Sequence, residues 1–269
     1  MTKTLGKYWA YFSVNMQQAM VYRFSFFTSF LADVVKTCVM LAVWVAVYQQ
    51  RSTVAGFDYS MMITYLLVSQ AVNNIYGFNN SADRPIAEKI KKGTIGFDLL
   101  KPVKFVNARL AENLGKTFLQ VIFAVIMLAG FKLCLPELSL PSSWTHGVLF
   151  ALSAAAGFFV MFSVSTMSGL LSFWFMNNWG VRNAKNAIIN FFSGALVPLA
   201  VLPNWMQQVM NVLPFKNIVY VPTMIYMGQY SVQDSLLQIG GQVIWGILLW
   251  LLAKYLFHLA IRRVSINGG

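Results

Sequence analysis

Apolar residues along this chain gather into long blocks, at 24–48, 60–78, 110–131, 147–175, 187–202 and 238–261, divided by shorter polar or basic stretches. The hydrocarbon core of a bilayer is about 30 Å thick and takes about 20 helical residues to cross. The blocks therefore predict an all-α integral membrane protein, with six transmembrane helices in a single domain at 24–263. The fifth block would reach only about 24 Å as a helix. It is interrupted by Gly194 and Pro198 and closed by Pro203, and the amphipathic segment after it stops at Pro214. This punctuation predicts a broken hairpin before the last span, with a re-entrant or interfacial helix at 203–214. Irregular backbone at membrane depth has to be covered by protein or line a cavity.

Residues 1–23 carry a different period. Leu5, Tyr8, Trp9, Phe12, Met16, Ala19 and Met20 recur at helical spacing, while Lys3, Lys7, Ser13, Gln17 and Gln18 face elsewhere. That pattern predicts an amphipathic helix in the membrane interface, with Arg23 marking entry to the bilayer.

The long polar stretch at 83–104, within a loop at 79–109, is too charged to span a membrane and too well punctuated for a linker. Arg84, Lys89, Lys91, Lys92, Lys101 and Lys104 outnumber Asp83, Glu88 and Asp98. Asp83 is placed to cap a helix, Pro85 suits a first turn, and Gly93 suits a C-terminal stop beside Lys91 and Lys92. A second short element at 97–100 is cut off by Lys101 and Pro102. Ile86, Ile90, Ile95, Phe97, Leu99 and Leu100 have no bilayer to enter here, so they predict packing on a partner or beneath the spans. The simpler alternative is a solvated basic loop.

Composition agrees with the blocks. The chain has 269 residues, 58% hydrophobic and 10% charged, against roughly 25% charged in soluble domains. Its net charge of +12 follows from the positive-inside rule without any nucleic-acid partner. Lys3, Lys7, Arg23, the basic loop, Arg109, Lys116, Arg182, Lys185, Lys254, Arg262 and Arg263 share one side under this threading, with Arg51, Lys132 and Lys216 opposite. The rule puts that basic side, with both termini, in the cytoplasm. Residues 1–23 lack the apolar core and cleavage site of a signal peptide. Cys38 and Cys134 form no CxxC, and His146 and His258 stand alone, so no disulfide frame or metal site is indicated.

Polar residues inside the blocks are the remaining candidates. Asp33 and Lys36 share a helical face, with Lys36 about 18 Å past Phe24, near mid-membrane. A lone charge there costs roughly 2.5–3.5 kcal/mol, so the two predict either a structural ion pair between helices or a place on the transport path. Gln70, Asn73 and Asn74 predict hydrogen bonding between helices, and the small residues of 147–175 predict close helix approach. Gly115-Lys116-Thr117 resembles the tail of a phosphate-binding loop, but position 110 is leucine where that loop needs glycine, so no nucleotide site is expected.

Two stretches carry a family resemblance: IKKGTIGFDLLKP at 90–102, and FSGALVPL at 192–199 continuing to LPF at 213–215 and YVP at 220–222. With the interfacial helix, the six spans and the basic loop, they resemble the ABC-2 type permeases over nearly the whole chain. The resemblance implies a permease that pairs with a second copy or a related permease and binds two separate ATPase subunits. ATP and Mg would sit on those partners, with no cofactor on this chain. It also implies that the loop holds the coupling helix, with Ile86, Glu88, Lys89, Ile90, Lys91, Gly93, Phe97, Leu99 and Pro102 as its residues. An aromatic, Met-rich interior leans toward export of an amphiphilic or lipophilic substrate.

Two other classes fit less well. An ion-driven secondary transporter would also keep buried charges such as Asp33 and Lys36, but no internal repeat is visible. An intramembrane lipid-modifying enzyme would need clustered acids or a nucleophile with its base, and the acids here are scattered.

Overall fold

The computed structural model describes residues 2–21, 23–76, 81–175 and 178–262. The expected end of the second span at Phe78, loop residues 79 and 80, and Arg263 lie outside the described residues, as do the side chains of Lys3, Leu5 and Arg23. The helices are α1 (Thr2–Val21), α2 (Arg23–Tyr48), α3 (Tyr59–Tyr76), α4 (Asp83–Lys91), α5 (Ile95–Leu99), α6 (Phe105–Cys134), α7 (Trp144–Leu170), α8 (Asn178–Phe192), α9 (Asn204–Val212), α10 (Tyr220–Tyr226) and α11 (Val232–Ile261).

Among the described residues, four helices are long and apolar enough to cross a membrane, at Phe27–Tyr48, Phe105–Cys134, Trp144–Phe173 and Val232–Ile261. The other two expected spans differ from these for separate reasons. Helix α3 has 18 residues, most of them buried by protein, including Ser69, Gln70 and Asn73. Surrounded by other helices, it needs no uniformly apolar surface. Of the amides expected to bond between helices, Asn74 Nδ2 lies 3.6 Å from the sulfur of Met127 on α6, while Asn73 Nδ2 lies 3.5 Å from Gln70 Oε1 within α3 itself. Helix α8 has only 15 residues, or about 22 Å, and ends in the turn at Gly194.

Helix α11 runs along α7, α10 packs on α7 and α3, and α3 also packs on α6. A buried polar chain crosses this interior, in which Ser153 donates to Gln242 Oε1 at 2.9 Å and Gln242 Nε2 to the Asn217 carbonyl at 2.8 Å. Helix α1 lies against α6. Gly115 allows this, because a Cβ there would come within 2.3 Å of the Phe12 carbonyl oxygen. The expected apolar face of α1 divides: Ala19 is buried and Tyr8, Phe12 and Met16 are half-buried, while Trp9 and Met20 are exposed.

The bundle has two distinct ends. At one, Tyr48 donates to the Phe57 carbonyl, Ser60 to that of Glu137, and His146 Nε2 lies 3.1 Å from the Tyr230 carbonyl. At the other, α4 and α5 sit with the start of α6, the ends of α7 and α11, and the start of α8. Lys216, expected beside Arg51 and Lys132, sits instead at mid-height. Its neighbour Asn217 faces Gly157, near the middle of α7, where an added Cβ would meet the Asn217 oxygen at 2.9 Å. The Pro214–Asn217 turn dips into the bundle rather than staying at its surface.

Candidate coupling site

The polar stretch folds as two short helices braced by ion pairs. Helix α4 is held at its C-terminal end by Lys92 N–H donating to the Glu88 carbonyl at 2.9 Å. Gly93 then turns the chain with φ +69°, a conformation glycine adopts without steric penalty. The second element, α5, starts at Ile95 and ends at Leu99, two residues earlier at its start than the sequence predicts.

Asp98 ties the pieces together. Its buried carboxylate accepts from Lys89 of α4 and from Lys101 at 2.7 Å, with Arg109 of α6 at 3.4 Å. Arg109, itself buried, also pairs with Glu112 at 2.6 Å. Burial alone would raise the Asp98 carboxyl, but the hydrogen bonds from Lys101 and Lys89 and the Arg109 charge hold it below its ordinary value of 3.8. The bond to Asp98 correspondingly pushes Lys101 above 10.5 against its partial burial.

The deeper anchor is at the start of α4. Asp83 was expected to cap the helix; the capping position is Ala82, with no side-chain cap bond. The Asp83 carboxylate is engaged elsewhere, for Lys185 of α8 donates to its Oδ2 at 2.7 Å and Ser81 to its Oδ1. Lys185 also reaches Ser81 at 3.3 Å and Ser165 of α7 at 3.4 Å. Asp83 is 0% exposed and Lys185 8%. Gly169 of α7 makes room for this junction, since a Cβ there would lie 2.9 Å from the Asp83 Cα.

The expected coupling residues separate by exposure. Ile86 and Ile95 are buried and Ile90 and Leu99 half-buried, so they hold the two short helices to the bundle. Glu88 is exposed in an i,i+4 pair with Arg84 at 3.0 Å, a contact of about 0.3–0.5 kcal/mol. Lys91 and Pro102 are exposed, and Lys89 is committed to Asp98. Phe97 at 69% and Leu100 at 83% exposure project an apolar surface outward.

The other candidates lie away from this end. Asp33 is half-buried and Lys36 exposed on α2, and no ion pair within 4.0 Å joins them. The expected buried pair is thus not closed within one chain. Gly194, with φ +79°, offers its carbonyl to the buried Tyr65 hydroxyl at 2.6 Å. Pro198 and Pro203 precede a 3-10 turn and α9, and the buried Pro214 begins the turn that enters the bundle.

Sequence reasoning missed Lys185, Arg109, Ser81 and Ser165. Lys185 had one local signal: it stands one turn before Ile189, the other buried residue of α8, so a lysine occupies an inward stripe. Arg109 had none beyond its place at the head of an apolar helix.

Among curated proteins nothing matches this chain. The family described as ABC-2 family transporter protein matches residues 34–268, which takes in α4, α5 and everything that braces them. A helical bundle with membrane-length helices agrees with that match, and the chain belongs to the ABC-2 transporter family, the membrane permeases of ABC transporters.

Proposed function

We propose that this chain is the permease subunit of an ATP-driven exporter of amphiphilic or lipophilic substrates, with α4 and α5 as the surface on which an ATPase subunit docks. The single observation that carries this is the pairing of a braced loop with outward apolar residues. A connector has no need of the Asp83–Lys185 and Asp98 anchors, and Phe97 and Leu100 stay largely uncovered by the described residues. Large apolar side chains presented on a rigid support are the usual anchors of an interface.

In this reading the basic end faces the cytoplasm, following the charge asymmetry. The chain crosses the membrane six times, with α3 as a protein-covered span and α8 to α10 as a broken hairpin. Two such permeases, identical or related, and two ATPase subunits make the working unit, and ATP with Mg binds the ATPases. Asp33 and Lys36 then face the second permease or the path between the two.

The test is to co-express the chain with its ATPase and compare Phe97→Asp and Leu100→Asp with the unchanged protein. ATPase recovery, ATP hydrolysis and transport in vesicles are measured together. The expected result is permease in normal yield, with complex recovery and transport each reduced at least tenfold. Full coupling in both variants, or transport that follows an ion gradient without the ATPase, would overturn the reading.

A further inference from the structure

A cleft of about 370 Å³ opens at the basic end, between the start of α6 and the last turns of α11. Phe105 and Phe257 line it as a stacked pair, with ring centroids 4.6 Å apart and planes at 7°. Lys104, Lys254 and His258 stand on its walls. Among the described residues, neither lysine has a carboxylate within the 4.0 Å of an ion pair. Lys254 instead lies 3.0 Å from the Trp250 ring centroid, a contact that attracts the cation but leaves its charge in place. Asp98 also borders the cleft, but it already faces Lys89, Lys101 and Arg109.

We infer that this cleft binds the phosphodiester headgroup of an anionic glycerophospholipid. Lys104 and Lys254 take the phosphate, and His258 sits at the headgroup edge. The inference rests on the membrane reading of the chain. Depth favours lipid over an acidic protein segment. The cleft lies where two membrane-length helices end, and Lys254 is about 10 Å inward of the end of α11. An acidic peptide would have to enter the headgroup layer to reach it, whereas a lipid is already there. Uncompensated lysines at that depth attract anionic lipid by about fivefold each.

The experiment uses the full-length protein, extracted with detergent and exchanged into defined lipid mixtures for native mass spectrometry. The probes are phosphatidylglycerol against phosphatidylcholine, with inorganic phosphate as a third arm. With two such lysines the protein should retain phosphatidylglycerol about 25-fold over phosphatidylcholine. Lys104→Gln with Lys254→Gln should bring the ratio near parity. Lys91→Gln with Lys92→Gln removes the same charge from exposed loop positions and should leave the ratio unchanged. Equal loss in both double variants, or loss in neither, would overturn the site. Displacement of the lipid by millimolar phosphate would make it a phosphate site and overturn the lipid assignment. A Lys104/Lys254 variant that loses only its ATPase partner would assign the cleft to protein. Release of the chain by alkaline carbonate without detergent would overturn the membrane reading and the site with it. Membrane-retained protein without lipid preference overturns the site alone.

Discussion

Lys185 Nζ lies 2.7 Å from Asp83 Oδ2 across 102 positions of sequence, with both side chains buried. This contact joins the first residue of α4 to α8. A buried pair of this kind adds little net stability over an apolar replacement, but removing one partner strands the other charge. Asp83→Ala should therefore cost about 3–5 kcal/mol. Asp83→Leu with Lys185→Met should recover most of that loss. Thermal unfolding of the detergent-solubilised protein measures both, and equal loss in the single and double variants would contradict the pairing.

Asp33 and Lys36 should behave differently. Because they stand at i,i+3 on α2 without a closed ion pair, Asp33→Ala and Lys36→Ala should couple by no more than about 0.2–0.5 kcal/mol in the isolated chain. Rescue of one by the other in the assembled transporter, and not in the isolated chain, would place their partner on a second permease.

The inward and outward sides of α4 should separate by phenotype. Ile86 is fully buried, so Ile86→Asp puts an unpaired charge into the packing with α7 and should abolish recovery of folded protein. Lys91→Ala, at an exposed position, should change stability by less than about 0.5 kcal/mol and leave transport intact at physiological salt. Size-exclusion profiles and vesicle transport read the two effects.

Helix crossings at glycine give a further test. Gly115→Ala would set a Cβ 2.3 Å from the Phe12 carbonyl, and backbone must move to relieve it. An overpacking cost of about 1–3 kcal/mol is expected, read as faster protease cleavage within α1. Gly169→Ala should act in the same way on the junction of α4 with α7.

Acid should loosen the braced helices at a defined point. The Asp98 carboxyl is held below 3.8, so its contribution is fully present above that value and fades as pH falls through the lowered one. Lys101 is raised above 10.5, so its contribution is present below that value and fades as pH rises through the raised one. Protease protection of residues 95–104 should stay flat between about pH 5 and 9 and drop below pH 4 in the unchanged protein. Asp98→Asn should show low protection across the whole range.

The sequence by itself determined what depends on neighbours in the chain. Long apolar blocks made helices α2, α6, α7 and α11, because burying the backbone in lipid demands helix over that length. Gly93 set the end of α4, and Gly194 with Pro198 and Pro203 broke the path after α8, because these residues act through their own φ. Only the tertiary structure decided which charges pair and which apolar residues point out. Asp83 looked like a cap until Lys185 arrived from α8, and Asp33 and Lys36 looked like a pair by spacing alone. Ile86 and Phe97 are equally apolar in the sequence, yet one is buried and the other 69% exposed. Ile86 is covered where α4 crosses α7 at Gly169, an approach set by backbone distance between segments that no local periodicity encodes.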